Sequence, residues 1–400
     1  MKRTGLFGCG ALLAASFGLA LTGGSGVAEA DSIKIGAPFN VTGSLSSLDA
    51  PALNGAKLKA KEINAAGGIN GKMIDLVVYD TKTDPTVIAS VASQLLNSDK
   101  VPVAMGFTDS DSALALGPIF QQAGVPFVTP GATSPKLPEQ VGTDMFLACF
   151  GDNVQAAAGA EFVLNKLNGK NVYLLRDNST EYTTLLAKYF DEAFTKGGGA
   201  IVGRDDYKSG DKSFTAQITK LKASAQKPDV LYVAAMPDDI GLVVKQMRQA
   251  GVTQPIVGGD GYDTPLLLSV GGKAANDVYY STHAFMAPTG STDAIAKFYT
   301  DYKAAYGTEP ENAFAALGYD TVGLIADAIK RAGSEDPAKI EDPAKIRDAL
   351  AATKGYPGIT GSITYPGDSR VPQKTVTMIG VKNDHLTLGA EVTPNWLPAP

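Results

Sequence analysis

The chain has 400 residues, 35 of them basic and 41 acidic, a formal net charge of −6, and two cysteines. With no basic run anywhere, that balance argues against nucleic acid as a partner. The length is too great for one compact core and suits two lobes. Residues 1–30 read as a removable export signal. Lys2 and Arg3 form the basic start, and Leu6 to Leu21 supplies an apolar stretch that is interrupted by glycines and short for a membrane span. Ala28-Glu29-Ala30 then offers the small-residue cleavage pattern. Cleavage after about Ala30 would leave a periplasmic or secreted protein. Setting aside Lys2, Arg3 and Glu29 leaves 33 basic and 40 acidic residues, a net charge of −7, and Cys149 as the one remaining cysteine. No internal disulfide can then form, and Cys149, in the apolar run Met145–Phe150, is expected to be a buried small hydrophobe.

Short apolar runs rich in β-branched residues alternate with amphipathic segments, the signature of βαβ units and mostly parallel sheets. Strands are expected at Ile33–Phe39, Ile74–Tyr79, Val101–Phe107, Val125–Thr129, Val172–Arg176, Ala200–Arg204, Val230–Ala235, Ile256–Gly259 and Val278–Ser281. Helical patterns lie between them, at Ala52–Ala65, Pro85–Asn97, Ala156–Leu167, Leu185–Lys196, Phe214–Ala225 and Ile240–Ala250. Longer helices follow at Ala294–Tyr306 and Ala313–Ala332. A tandem repeat, Glu335–Ile340 and Glu341–Ile346, has Asp-Pro in each copy and reads as a surface loop lengthened by duplication. Three strands, Thr360–Tyr365, Thr375–Val381 and Leu386–Val392, close the chain.

Catalytic signatures are missing. There is no P-loop, no G-x-S-x-G elbow and no H-E-x-x-H, and His283 and His385 lack metal-type spacing. Neither an enzyme, a metal nor a cofactor is called for. Pro130-Gly131-Ala132-Thr133-Ser134-Pro135 follows the run Val125–Thr129, so it falls at the carboxyl end of a strand, where open α/β sheets bind ligands. Gly131 and Ala132 would let backbone groups approach a small polar ligand, and Thr133 and Ser134 add hydroxyls. On the local sequence alone, a proline-bounded turn with no ligand is the favoured reading.

Several segments taken in order resemble the branched-chain amino acid (Leu/Ile/Val) periplasmic binding proteins of ABC importers. They are Ile35-Gly36-Ala37-Pro38 with Thr42-Gly43, Glu62–Gly71, Val78-Tyr79-Asp80 with Asp84-Pro85, Pro130–Pro135, and Gln246–Gly251. The similarity spans nearly the whole exported chain. It implies a type I periplasmic binding fold, two α/β lobes joined by three hinge crossings near residues 150, 282 and 362. Lobe one would comprise 31–150 and 283–362, and lobe two 151–282 and 363–400.

Ligand contacts follow position by position. Gly106–Ser112 matches the family's serine-rich loop, so Ser110 would hold a ligand carboxylate while capping the helix that runs towards Gln122. Gly131, Ala132 and Thr133 fall on main-chain and hydroxyl contacts, and Tyr182 on the tyrosine that closes over the ligand. Asp260, in Gly258-Gly259-Asp260-Gly261, falls on the acid that binds the α-ammonium. Met236 and Leu48 stand where the family often has aromatics, which makes the side-chain pocket more aliphatic. The resemblance thus implies capture of an amino acid, aliphatic or branched-chain, by hinge closure. The partner would be a membrane permease and the protein a monomer. An alternative keeps the fold but takes an amide, urea or an aromatic carboxylate, or uses it as a sensor.

Overall fold

Residues 32–334 and 336–400 are described by a computed structural model; the expected export signal lies outside them. Fourteen strands form three sheets among the described residues. The first sheet holds β1 (Ser32–Phe39), β2 (Met73–Asp80), β3 (Ala104–Met105), β4 (Phe127–Thr129) and β5 (Met145–Leu147), in the order β2-β1-β3-β4-β5 and all parallel. The second holds β6 (Asn171–Asp177), β7 (Ala200–Tyr207), β8 (Val230–Ala234), β9 (Ile256–Gly258) and β10 (Val278–Thr282). A small hairpin follows, β11 (Tyr356–Gly358) with β12 (Gly361–Ile363). β13 (Val376–Lys382) and β14 (His385–Val392) then extend the second sheet antiparallel beside β10. Its order is β14-β13-β10-β9-β8-β6-β7. The strands β4, β5, β8 and β9 are buried throughout, which explains why they read as unbroken apolar runs.

Two sheets with flanking helices make two lobes, and their parallel cores share one connectivity. β2-β1-β3-β4 in the first corresponds to β7-β6-β8-β9 in the second, so each reverses strand order once, between β1 and β3 and between β6 and β8. Crevices at such reversals lie beyond the carboxyl ends of the strands. In both lobes, the loops there can converge on one ligand.

The chain passes between the sheets three times: after β5, after β10 and before β13. The third passage comes later than the expected 362. Tyr365 donates its hydroxyl to the Leu147 carbonyl (2.9 Å), and the Leu147 N–H donates to the Arg370 carbonyl (3.0 Å), which holds this segment against β5. The crossing therefore falls between Arg370 and Val376. Between the second and third passages, the helix Ala313–Ala332 packs along the helix Ser46–Ala65 on the first sheet.

Other expectations need correction. The strand expected at Val101–Phe107 shrinks to β3 because the backbone turns at Phe107, with φ at 62°. Met145–Leu147, read only as an apolar run around Cys149, is the fifth strand, while Cys149 is free and buried as expected. The duplicated segment is not all loop. Pro337–Lys339 forms one 3-10 turn, but Asp342 caps the helix Pro343–Ala351, with Pro343 at its first position.

Candidate functional site

A small cavity of about 20 Å³ lies where the two sets of loops meet. Leu45 and Leu48 follow β1, Thr108, Asp109 and Ser110 follow β3, and Thr133 follows β4. From the second lobe come Tyr182 after β6, Met236 and Pro237 after β8, and Asp260 and Gly261 after β9, while Phe314 completes the wall. Six of the eight residues expected to bind ligand (Leu48, Ser110, Thr133, Tyr182, Met236 and Asp260) are thus brought together across up to 212 positions of sequence.

In the first lobe a strained loop is tied down by a buried acid. Phe107 is fully buried with positive φ, a conformation unfavourable for a bulky residue. The next residue, Thr108, donates its N–H (2.8 Å) and its hydroxyl to Asp49 Oδ1, and the Asn40 N–H donates to Oδ2 (2.6 Å). Burial raises the Asp49 pKa to about 6 in spite of these bonds. Asp109, rather than Ser110, caps the helix Ser110–Ala123 through the Ser112 N–H (2.8 Å). This corrects the expected cap: Ser110 is the first helical residue, and its Oγ accepts from the Ser134 N–H (3.1 Å). It still lines the cavity at a helix N-terminus, which favours an anion.

Gly131 and Ala132 are not among the cavity-lining residues. The Ala132 N–H donates to Thr129 Oγ1 (2.9 Å) and its carbonyl accepts from Cys149 Sγ (3.4 Å). A Cβ on Gly131 would fall 2.7 Å from the Phe314 ring, so the glycine admits Phe314 to the wall. The close approach that Gly131 allows in this structure is that of an aromatic ring of the protein.

Asp260 is buried and held from two directions. Gln155 Nε2 donates to Oδ1 (2.9 Å), His283 Nε2 pairs with Oδ2 (3.0 Å), and the Asp260 N–H donates to Gln155 Oε1 (3.1 Å). Tyr182 Oη accepts from the Gly261 N–H (2.9 Å), which locks this ring over the same loop. Thr180 caps the helix Glu181–Lys196 and directs its hydroxyl at Met236 Sδ (3.8 Å). Asp152, fully buried, accepts from Gln155 Nε2 (2.9 Å); burial, then the charge of Asp260, raises its pKa well above the usual carboxylate range. Sequence reasoning missed Gln155, His283, Asp152 and Phe314, none of which sits in a motif. Among the described residues no Lys or Arg lines the cavity, and no cluster has the makings of a metal site.

The lobes also touch at the rim. Ser134 Oγ donates to Glu181 Oε1 (2.8 Å), and the Glu181 N–H donates to the Asp111 carboxylate (3.3 Å). Burial, then the charges of Asp109 and Glu181, raises the Asp111 pKa to about 6. Deeper in, Asp263 Oδ2 accepts from Thr282 Oγ1 (2.6 Å) and from the Ala313 N–H (3.0 Å) at the start of the opposing helix. The conformation is closed.

Residues 32–385 match the periplasmic binding protein family. An amino acid binding protein of Pseudomonas aeruginosa is 31% identical over 311 residues, 77% of this chain and 80% of its own. The Leu/Ile/Val-binding protein BraC3 of Rhizobium johnstonii is 30% identical over 339 residues, 85% of this chain and 88% of its own. The branched-chain amino acid transporter substrate-binding protein LivJ of Streptococcus pneumoniae, solved with isoleucine, superposes with a TM-score of 0.82 at 33% identity, covering 91% of this chain and all of its own. The two-lobed fold, the converging strand-end loops and these matches together place the chain in the periplasmic binding protein family.

Proposed function

We propose that this protein captures a branched-chain amino acid between its lobes and delivers it to the membrane permease of an ABC importer. It is a solute-binding protein, not an enzyme. The observation that carries the reading is the polarity of the cavity. A helix N-terminus with Ser110 and Thr133 lies on one wall and Asp260 with Tyr182 on the other, with Leu45, Leu48 and Met236 between them. A carboxylate suits the first pole and an ammonium the second, because a buried acid needs a cationic partner. An aliphatic side chain suits the rest. Relatives named for Leu/Ile/Val binding, and LivJ with its isoleucine, support the same class.

We assign the first lobe to residues 32–150 and 283–371 and the second to 151–282 and 372–400. Ligand touching both lobes stabilises the closed form over the open one. We further take the protein to act as a monomer, exported by cleavage after about Ala30. No helix among the described residues is long and apolar enough to cross a membrane.

Calorimetric titration tests the reading: leucine and isoleucine should bind one per chain, while benzoate and urea give no heat. Binding of benzoate or urea without leucine would overturn it.

Closure should also be linked to pH. The Asp111 pKa is about 6 in this form, raised by burial, by Asp109 of its own loop and, in smaller part, by Glu181 across the rim. Closing therefore takes up a proton to the extent that burial and Glu181 act only when the lobes meet. The contribution of this group to closure is present in acid and lost as pH rises through about 6. Asp111→Asn removes the linkage. Leucine affinity should then change less between pH 4 and 6 than in the unmodified protein, and at pH 7 should rise a few-fold. Identical profiles would show that Asp111 titrates alike in both forms.

A further inference from the structure

His283 is a buried titratable side chain placed one residue after β10, at the second passage between the lobes. Its ring stacks on Phe150 at 4.0 Å between centroids and 22° between planes, and meets Phe314 edge-on at 5.7 Å. Phe150 stands at the first passage, and Phe314 lines the cavity. Apart from these rings, the polar contact the imidazole makes is Nε2 to Asp260 Oδ2 at 3.0 Å, and Nδ1 has no partner. Burial pushes the imidazole pKa below its ordinary value, so the ring is neutral at pH 7. A neutral ring facing a carboxylate carries its proton on Nε2, which leaves Nδ1 as an orphaned acceptor.

That arrangement is costly for a group that only fills space. A phenyl ring would stack on Phe150 as well and leave no buried nitrogen without a partner. What the imidazole adds is one donor aimed at Asp260. With Gln155 on Oδ1 and His283 on Oδ2, one acceptor site is taken on each carboxylate oxygen and one remains on each.

We propose that His283 is a positioning residue for ligand recognition: its Nε2–H fixes the plane of the Asp260 carboxylate so that the remaining acceptor positions meet the ligand's ammonium. The inference rests on the assignment of Asp260 as the ammonium partner. His283 touches no ligand itself and acts through Asp260. A carboxylate held on one oxygen alone swings about its Cβ–Cγ bond, and the ordering lost in the free protein must be restored when ligand binds.

The test is a double-mutant cycle on the full exported chain, with leucine titrated by calorimetry. His283→Phe keeps the stack and deletes the donor; it should weaken leucine binding about tenfold, the effect of one lost hydrogen bond at a charged group. His283→Gln, which returns an N–H donor of similar reach, should recover most of that loss. In the Asp260→Asn background, His283→Phe should change affinity less than twofold, because the group it orients is gone. A purely structural histidine would weaken binding equally in both backgrounds and would not be rescued by glutamine; either result overturns the proposal. If His283→Phe does not fold, as judged by its thermal transition, His283→Met replaces it with the same expectations. If the unmodified protein binds no leucine, the functional reading fails. If it binds leucine and Asp260→Asn binds it equally well, that reading stands and the role of His283 falls.

Discussion

Asp260→Asn should lower leucine affinity about 100-fold while the ligand-free protein keeps its thermal transition within a few degrees. The physical reason is the desolvated ammonium. Among the described residues no Lys or Arg lines the cavity, and burial with the charge of Asp260 disfavours ionisation of the neighbouring Asp152, so Asp260 is placed to supply the negative charge that the buried ammonium requires. Truncating one member of a buried, hydrogen-bonded charge pair costs about 2–5 kcal/mol, and about 3 kcal/mol corresponds to roughly two orders of magnitude in affinity. The fold should tolerate the change, because asparagine retains an acceptor for Gln155 or His283 and relieves a charge buried in the absence of ligand. Calorimetry with leucine measures the first effect and circular dichroism the second. Unchanged affinity would remove Asp260 as the ammonium partner.

Gly318→Ala should be the most destabilising single methyl addition on the helix Ala313–Ala332, at about 3 kcal/mol or more, near the upper end for overpacking. A Cβ at Gly318 would fall 1.8 Å from the Ala52 carbonyl oxygen, and one at Gly55 would fall 1.8 Å from that of Ala315. Both obstacles are backbone, so no side-chain rotation relieves them and the helices Ser46–Ala65 and Ala313–Ala332 must move apart. That movement reaches the site, because Phe314 lines the cavity and the Ala313 N–H is bound by Asp263. A fall of several degrees in the thermal midpoint should therefore come with weaker leucine binding. A midpoint within one degree of the unmodified protein would show that the crossing yields easily.

These two glycines show where local reading stops. In sequence, each is a weak helix former inside a helical pattern, a cost of about 1 kcal/mol relative to alanine. Only the crossing of two helices more than 200 residues apart turns that cost into a requirement. Phe107 is similar: the strand pattern through Val101–Phe107 is sound as a pattern, yet Asp49, 59 positions away from Thr108, holds the loop in a turn. The duplicated segment went the other way. Its Asp-Pro pairs are helix-start chemistry as well as turn chemistry, and the second copy runs on into a helix that buries Ile346 and, beyond the repeat, Leu350.

By itself, the sequence determined the α/β alternation, the order of nearly all strands and helices, and the lack of known catalytic and metal-binding motifs. Those properties lie in hydrophobic period and turn residues within a few positions of each other. With the resemblance added, it also singled out Ser110, Thr133, Tyr182, Asp260, Met236 and Leu48, which the structure gathers around one cavity because each stands beyond a strand end. Tertiary structure alone decided what supports them. Gln155 reaches Asp260 across 105 positions, and His283 is wedged between Phe150 and Phe314 with no motif around it. The space a Cβ at Gly131 would take is filled by the Phe314 ring. Such contacts depend on how two separately folded layers approach each other, and a single buried donor or ring leaves no periodic trace in the chain.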